Sequence, residues 1–245
     1  MANYKIIFSP TGGVEKCAEL LSAHLGSNWK EIDLSHPVPP ITLSEQDLCI
    51  YAVPSFGGRV VPIATERMKS IQGNGAKAVL LCVYGNRAYE DTLIEMQDTL
   101  NAQGFRCVAA VAALAEHSIM HQFATGRPDA SDQKMLIDFA SKIAANPDST
   151  LITLPGNRPY KEYKVVPMVP QLGANCSGCG LCAEECPIGA IGDDFAINTE
   201  KCIGCMRCIS ICPSQARSLD PERLAMLVAR LGPALEGRKE NELFL

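Results

Sequence analysis

The first 146 residues alternate short apolar runs with amphipathic stretches. The apolar runs predict five strands, at residues 4–8, 29–34, 48–53, 77–84 and 106–113. Between and after them, apolar side chains at helical spacing predict helices at residues 14–25, 61–71, 89–103 and 131–145. This alternation is typical of a parallel sheet with helices on both faces. We therefore expect one doubly wound α/β domain over residues 1–146, whose ligand should lie at the carboxyl ends of the strands.

The second part of the chain has a different character. Residues 147–172 are rich in proline and glycine and have no helical period, so they predict a linker. Residues 173–218 hold an internal repeat, in which the pattern that starts at Cys176 returns at Cys202. In residues 219–245, apolar side chains at helical spacing predict a helical tail that covers one of the two domains. These side chains are Leu224, Leu227, Val228 and Leu231.

Composition and charge narrow the compartment and the partners. Of the 245 residues, 47% are hydrophobic and 20% are charged, and the formal net charge is −5. No apolar stretch approaches the roughly 20 residues of a membrane span, and the N-terminus enters a strand pattern without a signal peptide. We therefore expect a cytoplasmic protein. Its acidity disfavours nucleic acid as a partner and suits docking to basic redox proteins, although mild acidity also serves solubility alone.

Eight of the twelve cysteines lie between Cys176 and Cys212. Without a signal peptide, this crowding indicates metal rather than disulfides. Each half of the repeat has the sequence Cys-x-x-Cys-x-x-Cys-x-x-x-Cys-Pro, and in such runs three thiolates hold one 4Fe–4S cluster while the fourth reaches a second cluster. The predicted ligand sets are Cys176, Cys179, Cys182 and Cys212 for cluster 1, and Cys202, Cys205, Cys208 and Cys186 for cluster 2.

Zinc is the alternative metal, because Cys-x-x-Cys pairs also form structural zinc sites. Those sites use two pairs separated by a longer loop, whereas here a four-cysteine run occurs twice. Residues 171–218 resemble the bacterial two-cluster ferredoxins at all eight ligand positions. The resemblance implies a small α+β ferredoxin-like domain with two 4Fe–4S clusters. The other cysteines lie in apolar contexts and are expected to be buried; they are Cys17, Cys49, Cys82 and Cys107.

The loop after the first predicted strand has the chemistry of an anion site. Ser9-Pro10-Thr11-Gly12-Gly13 combines hydroxyls, backbone amides and a helix N-terminus, and without Lys or Arg it suits a monophosphate better than a triphosphate. Here the sequence resembles the flavodoxins, whose loop has the pattern Ser/Thr-x-Thr-Gly-Asn-Thr; Gly13 and Val14 replace the Asn and the last Thr. The resemblance covers about residues 3–146. It implies a flavodoxin-like five-stranded sheet of order 2-1-3-4-5 that holds FMN.

The ends of the third, fourth and fifth predicted strands resemble the loops that hold the isoalloxazine ring in flavodoxins. The residues that this resemblance assigns to the flavin site are Pro54, Ser55, Phe56, Gly57, Gly58, Gly85, Asn86, Arg87, Tyr89, Glu116, His117 and Ser118. Several have structural alternatives. Phe56 and Tyr89 could be packing aromatics, Arg87 a surface cation, and His117 a strand-end histidine with satisfied hydrogen bonds.

A flavin domain and a two-cluster module in one chain resemble the flavodoxin–ferredoxin fusion carriers of anaerobic microbes. The resemblance implies a carrier that passes electrons between its clusters, FMN and redox partners, with no catalytic residues of its own. Two alternatives stay open. The first is an FMN-dependent reductase of a small substrate, with His117 or Tyr89 as proton donor. The second is a ferredoxin whose N-terminal domain lacks flavin and serves docking or sensing.

Overall fold

The computed structural model describes residues 2–150 and 153–245, so Leu151 and Ile152 of the predicted linker lie outside the described residues. The strands, in chain order, are β1 Asn3–Ile7, β2 Trp29–Asp33, β3 Ile41–Thr42, β4 Leu48–Pro54, β5 Ile71–Gln72, β6 Lys77–Tyr84, β7 Arg106–Leu114, β8 Gln171–Leu172, β9 Arg217–Ser218 and β10 Glu242–Phe244. The helices are α1 Gly13–Ser22, α2 Pro62–Met68, α3 Thr92–Ala102, α4 Ala130–Ala145, α5 Leu181–Glu184, α6 Arg207–Ser210 and α7 Pro221–Leu235.

Five parallel strands form the body of the main sheet, in the spatial order β2-β1-β4-β6-β7. They are the five predicted strands, each within one residue of its predicted ends. Counted among themselves their order is 2-1-3-4-5, which is the order of flavodoxin-like sheets. The four predicted helices of this region are present, although α1, α2 and α3 are shorter than predicted by up to three residues at one end. The small parallel pair of β3 and β5 was not predicted.

The strands β4, β6 and β7 of the main sheet are buried on both faces. Phe8, Tyr51 and Leu80 belong to a core that they share with α2 and α3. Alternate residues, such as Ile7 and Ile50, belong to a second core that they share with α1 and α4. Strands that are covered on both sides need apolar residues at every position, which is why these strands appear in the sequence as continuous apolar runs.

The four cysteines outside the repeat are buried, as predicted. Burial raises the pKa of the Cys17 thiol to about 12, and it raises the pKa of the Cys107 thiol to about 12. A thiol with so high a pKa is neither a ready nucleophile nor a ready metal ligand. These cysteines therefore act as small packing residues.

The C-terminal segment is helical only as far as Leu235, which corrects the prediction of a helical tail for the whole segment. Asp220 caps the start of α7 by accepting hydrogen bonds from the backbone N–H groups of Glu222 and Arg223, each at 3.0 Å. After α7 the chain turns back and adds β10 antiparallel to β7, as a sixth strand of the main sheet. Three residues are too few to give a periodic signal, and the strand forms because β7 offers an unpaired edge.

Residues 153–170, which we call the strap, lie along α3 rather than hanging free between two domains. Asp91 accepts hydrogen bonds from the backbone N–H groups of Asn157 at 2.8 Å and Lys161 at 2.7 Å. Leu154 is 5% exposed and Met168 is 4% exposed. The strap contains no helix or strand, in agreement with its composition, but its backbone is held by side chains of the N-terminal domain.

A buried ion pair joins α4 to the C-terminal segment. Asp132 is fully buried and accepts hydrogen bonds from Arg127 Nε at 2.8 Å and from Asn241 Nδ2 at 2.9 Å. Asn241 Oδ1 in turn accepts a hydrogen bond from the backbone N–H of Leu114 at 2.8 Å. Asp129 caps α4, and its backbone N–H donates to Asp132. The carboxylate of Asp132 thus connects β7, α4 and the residue before β10.

We expect Asp132→Asn to destabilise the protein by about 3 kcal/mol, because it leaves the buried guanidinium of Arg127 without its counter-charge. Urea unfolding followed by circular dichroism measures the loss. The matched control is Asp138→Asn on the same helix, where the carboxylate pairs with Lys142 in an exposed ion pair; that change should cost about 0.5 kcal/mol or less. Equal, small losses in both variants would show that Asp132 does not have this role.

Candidate functional site

The eight cysteines of the repeat line two small cavities. One cavity is lined by Cys186, Cys202, Cys205 and Cys208, and we call it cavity A. The other is lined by Cys176, Cys179, Cys182 and Cys212, and we call it cavity B. The structure thus brings together the members of each predicted ligand set. The fourth cysteine of each run lies at the cavity of the other run.

Among residues 2–150 and 153–245, no three His, Cys, Asp or Glu side chains converge tightly enough to hold one metal ion. A tetrahedral zinc site needs such convergence. A four-iron cluster is larger than an ion, so its thiolates stand further apart.

The two halves of the repeat make matching contacts to sulfur. The backbone N–H of Ala190 donates to Cys186 Sγ, and the backbone N–H of Ala216 donates to Cys212 Sγ, both at 3.2 Å. The two alanines occupy equivalent positions in the repeat. For Cys212, hydrogen bonds from Ser214 and from backbone amides that include that of Ala216 lower the pKa, which favours the thiolate that a metal ligand requires.

Burial opposes ionisation of three thiols in cavity A, those of Cys202, Cys205 and Cys208, because it raises their pKa values. It raises the pKa of Cys205 to about 11. It also raises the pKa of Cys208 to about 12, an effect that the positive charge of Arg217 counteracts. Since only thiolates bind iron, the cysteines of cavity A need a cationic partner to be charged, and the irons of a cluster would supply it.

Two guanidinium groups border these cavities and have atoms without partners. Arg207 lines cavity A and Arg217 lines cavity B. The Nε atom of each is buried and has no hydrogen-bond acceptor among the described residues. Buried donors in proteins almost always have acceptors. The residues present therefore fit an anionic, sulfur-rich group in each cavity.

A larger cavity, cavity C, lies at the carboxyl ends of the parallel strands, where a ligand was predicted. It is a cleft that is partly open to solvent, and α/β folds commonly bind small molecules in clefts at the carboxyl ends of their strands. The predicted flavin residues that line it are Thr11, Gly13, Val14, Pro54, Ser55, Phe56, Gly57, Gly85, Arg87, Glu116, His117 and Ser118. Loops that follow four different strands thus meet at one cavity.

Ser9 and Gly12 do not line cavity C but shape the loop that does. Ser9 Oγ accepts a hydrogen bond from the backbone N–H of Glu15 at 3.0 Å, so it satisfies an amide in the first turn of α1. Gly12 precedes α1 in the left-handed conformation, with a φ of 82°, which only glycine adopts easily. These two residues direct Thr11 and Gly13 toward the cavity.

Asn86, Tyr89 and Gly58 also lie outside the cavity lining, in contrast to their prediction as flavin-site residues. Asn86 is buried and its Nδ2 donates to the carbonyl of Leu235 at 2.5 Å, so it holds the end of α7. The hydroxyl of Tyr89 donates to Glu242 at 3.1 Å. Gly58 packs closely against the side chain of Glu90, which lies in the loop after β6. The side chains of Asn86 and Tyr89 thus form hydrogen bonds with the C-terminal segment, whose course was not apparent from the sequence.

His117 is held in cavity C as a neutral ring. Its Nδ1 accepts hydrogen bonds from the backbone N–H groups of Ile119 at 3.1 Å and Met120 at 3.2 Å. The remaining ring proton is therefore on Nε2. Burial, and then the charge of His121, lower the pKa of His117 to about 4. The ring can donate a hydrogen bond from Nε2, but near neutral pH it is not a charged acid.

The structure adds lining residues that were predicted to belong elsewhere. They come from the strap, from the second cysteine run and from α7, and are Tyr163, Lys164, Val165, Val166, Ile203, Gly204, Cys205, Leu227 and Leu231. Cys205 lines both cavity A and cavity C. The hydroxyl of Tyr163 is buried without a partner among the described residues, so it fits a cavity that holds a polar ligand. In the sequence, only the helical spacing of Leu227 and Leu231 indicated that one of these segments packs against a domain.

Two segments of the chain match known families. Residues 174–190 and residues 195–218 each match a family described as a 4Fe–4S binding domain. The C-terminal region carries ferredoxin-type 4Fe–4S domains. The segments that match contain all eight cysteines of cavities A and B, so the 4Fe–4S interpretation is supported over the zinc alternative.

A curated relative is similar over part of its length. A subunit of the ion-translocating oxidoreductase complex of Methanosarcina acetivorans is 42% identical over 65 residues. The match covers 25% of this chain and 24% of the relative. The chain therefore spans about a quarter of the length of the curated relative that it matches.

Solved structures with a similar fold include several flavodoxins. The flavodoxin of Streptococcus pneumonia TIGR4 is 17% identical with a TM-score of 0.42, and the match covers 59% of this chain and 99% of that chain. Oxidised flavodoxin 1 of Bacillus cereus is 14% identical with a TM-score of 0.43, over 59% and 98% of the two chains. The assignment of a flavodoxin-like fold rests on the order of the five parallel strands in the main sheet.

No helix within the described residues is both long enough and apolar enough to cross a membrane.

The lowered pKa of His117 predicts a pH dependence of stability. Between about pH 6.5 and pH 4 the unfolded ring binds a proton that the folded ring does not, so the folded state loses stability as the pH falls through this window and regains it fully above. From pH 7 to pH 5 this costs about 2 kcal/mol. His117→Asn should remove that part of the pH dependence, as measured by urea unfolding at both pH values. His24, which is exposed, provides the control His24→Asn; identical pH profiles in all three proteins would contradict the prediction.

Proposed function

We propose that this protein is an electron carrier that binds two 4Fe–4S clusters and one FMN, and that passes electrons between them and on to redox partners. One observation carries the proposal. Cys205, a member of a predicted cluster ligand set, lies on the wall of the cavity formed by the strand-end loops. A cofactor in cavity A and a cofactor in cavity C would share that wall.

The proposed cluster ligands are the two sets that line cavities A and B. Cysteines 176, 179, 182 and 212 would hold cluster 1 in cavity B, and cysteines 202, 205, 208 and 186 would hold cluster 2 in cavity A. The matching families support the cluster type, while the number of clusters and the individual ligands are part of this proposal. Of the eight cysteines, Cys179 is the exposed one, which makes cavity B the natural contact for external partners.

The proposed FMN site is cavity C. The loop of Thr11 and Gly13 at the start of α1 would receive the phosphate, because a helix N-terminus and its free amides favour an anion. Phe56 and Gly57 would flank the ring system, and His117 Nε2 would donate a hydrogen bond to it. When bound, FMN exchanges one or two electrons and clusters exchange one, so together they connect one-electron and two-electron partners.

The strap and α7 would control the access of water to the flavin. Val165 and Val166 of the strap and Leu227 and Leu231 of α7 present apolar side chains to cavity C. Exclusion of water strengthens the electrostatic influence of neighbouring groups on a bound cofactor. Electrons would then reach the cavity more readily through the wall at Cys205 than from solvent.

The partners are proposed to be redox proteins, with cluster 1 as the contact. The acidic charge of the chain favours basic partner surfaces. Action in the cytoplasm, and the domain limits of 1–146 and 173–218, remain predictions from the sequence.

The reductase alternative has less support from the site. Tyr89, one of the two predicted proton donors, lies outside cavity C and donates to Glu242. The other, His117, has a pKa of about 4, which makes it a poor source of protons at neutral pH.

The proposal is tested by anaerobic purification followed by quantification of iron, sulfide and flavin in the same sample. We expect about eight irons and eight sulfides, as two 4Fe–4S clusters contain, and one FMN per chain. Iron and sulfide at this level without flavin, even after incubation with FMN, would instead support a ferredoxin with a flavin-free docking or sensing domain.

The flavin site is tested separately by Gly85→Ala. A methyl group at position 85 would lie 2.8 Å from the backbone and ring of His117, so the loop would have to shift. An overlap of this kind costs about 1–3 kcal/mol, and we expect about tenfold weaker FMN binding with unchanged iron content. Gly232→Ala in α7 makes only an ordinary contact and is the control. Unchanged FMN affinity in Gly85→Ala would argue against cavity C as the site.

A further inference from the structure

Arg217, the first residue of β9, is a buried cation beside the predicted clusters. It is 4% exposed. Its Nη2 donates to the carbonyl oxygen of Phe195 at 2.6 Å and to Cys182 Sγ at 3.4 Å. Its Nε has no acceptor among the described residues. The guanidinium thus directs one N–H at a predicted cluster ligand and leaves another without a partner.

No carboxylate among the described residues is paired with Arg217. Other arginines of the protein differ in this respect. The buried Arg127 is paired with Asp132, and Arg207, beside cavity A, is paired with Glu185. A buried charge without a counter-charge costs several kcal/mol. Among the described residues, the cysteine-rich region therefore contains a buried positive charge that no carboxylate compensates.

The sulfur of Cys182, a predicted ligand in cavity B, is in direct contact with Arg217. Arg217 also lines that cavity together with the other three cysteines of the set. A cluster core of about +2 with four thiolates has a net charge of about −2, and each electron that it accepts makes it more negative. A fixed cation in a region of low dielectric stabilises the more negative state more strongly.

We propose that Arg217 is the internal counter-charge of the cluster held by Cys182 in cavity B and that it raises the reduction potential of that cluster. This inference rests on the proposed presence of the clusters. In the reduction one electron leaves an external one-electron donor and enters the cluster, and no bond forms or breaks. Arg217 changes the potential of that step through its charge, and it tunes this cluster without being a ligand.

The test is a redox titration of the full chain, reconstituted anaerobically with iron and sulfide and followed by electron paramagnetic resonance of the reduced clusters. Three variants are compared with the wild type. Arg217→Gln removes the charge and keeps a hydrogen-bond donor, and Arg217→Lys keeps the charge. Arg223→Gln removes the same charge from an exposed position on α7.

At the potential where the wild-type cluster is half reduced, we expect the ratio of reduced to oxidised cluster to be about tenfold lower in Arg217→Gln. This corresponds to a midpoint lower by about 59 mV for one electron. Arg217→Lys should shift the ratio much less, and Arg223→Gln should leave it unchanged. Loss of the clusters from Arg217→Gln with retention in Arg217→Lys would also support the role of the charge.

Three results would overturn the inference. The first is a midpoint in Arg217→Gln equal to that of the wild type. The second is an equal shift in Arg217→Gln and Arg217→Lys, which would assign the effect to hydrogen-bond geometry. The third is loss of the clusters from both variants, which would make Arg217 a structural residue. Failure of the proposed function is distinguished by the wild type, because it would then lack iron or flavin before any variant is compared.

Discussion

One apolar cluster joins the two halves of this chain, and the position of cavity A relative to cavity C depends on this cluster. Six buried residues from four segments form this cluster. They are Ile119 and Met120 after the last parallel strand, Met168 of the strap, Met206 of the second cysteine run, and Leu227 and Leu235 of α7. Cys205 is the neighbour of Met206 in the chain. Burial of these side chains removes apolar surface of all four segments from water at once, and this packing holds the wall of cavity A against cavity C.

The sheet and the cysteine sets could be predicted from sequence because both are encoded by local patterns. Strands such as β4 and β6 are buried on both faces and therefore appear as apolar runs, and the repeat of the cysteine run fixes which sulfurs correspond. The course of the C-terminal segment could not be predicted, because β10 has three residues and pairs with a strand far away in the chain. Asn86 and Tyr89 were assigned to the flavin site because they follow a strand end, while their actual partners, Leu235 and Glu242, lie in that segment.

The two halves of the protein differ in how their buried charges are compensated. In the N-terminal domain the buried charge of Asp132 is compensated by Arg127 and by hydrogen bonds, so the network is complete within the protein. In the cysteine-rich region the raised pKa values of Cys205 and Cys208 and the unpaired guanidinium of Arg217 show an arrangement that is complete only with added charges. Beside the cysteines, the Nε atoms of Arg207 and Arg217 have no acceptor among the described residues.

The antiparallel strand β10 determines how the cysteine-rich region is connected to the main sheet. The sixth strand of the main sheet comes after the cysteine-rich region in the chain, so this region is connected at both of its ends to segments that pack on or within the same sheet. Its N-terminal connection is the strap, fixed along α3, and its C-terminal connection is α7, fixed by Asn86 and by the pairing of β10 with β7. A module tethered at both ends explores far fewer orientations than one on a single linker. The separation of its cofactor cavities from the strand ends is therefore set by the fold and not by diffusion on a tether.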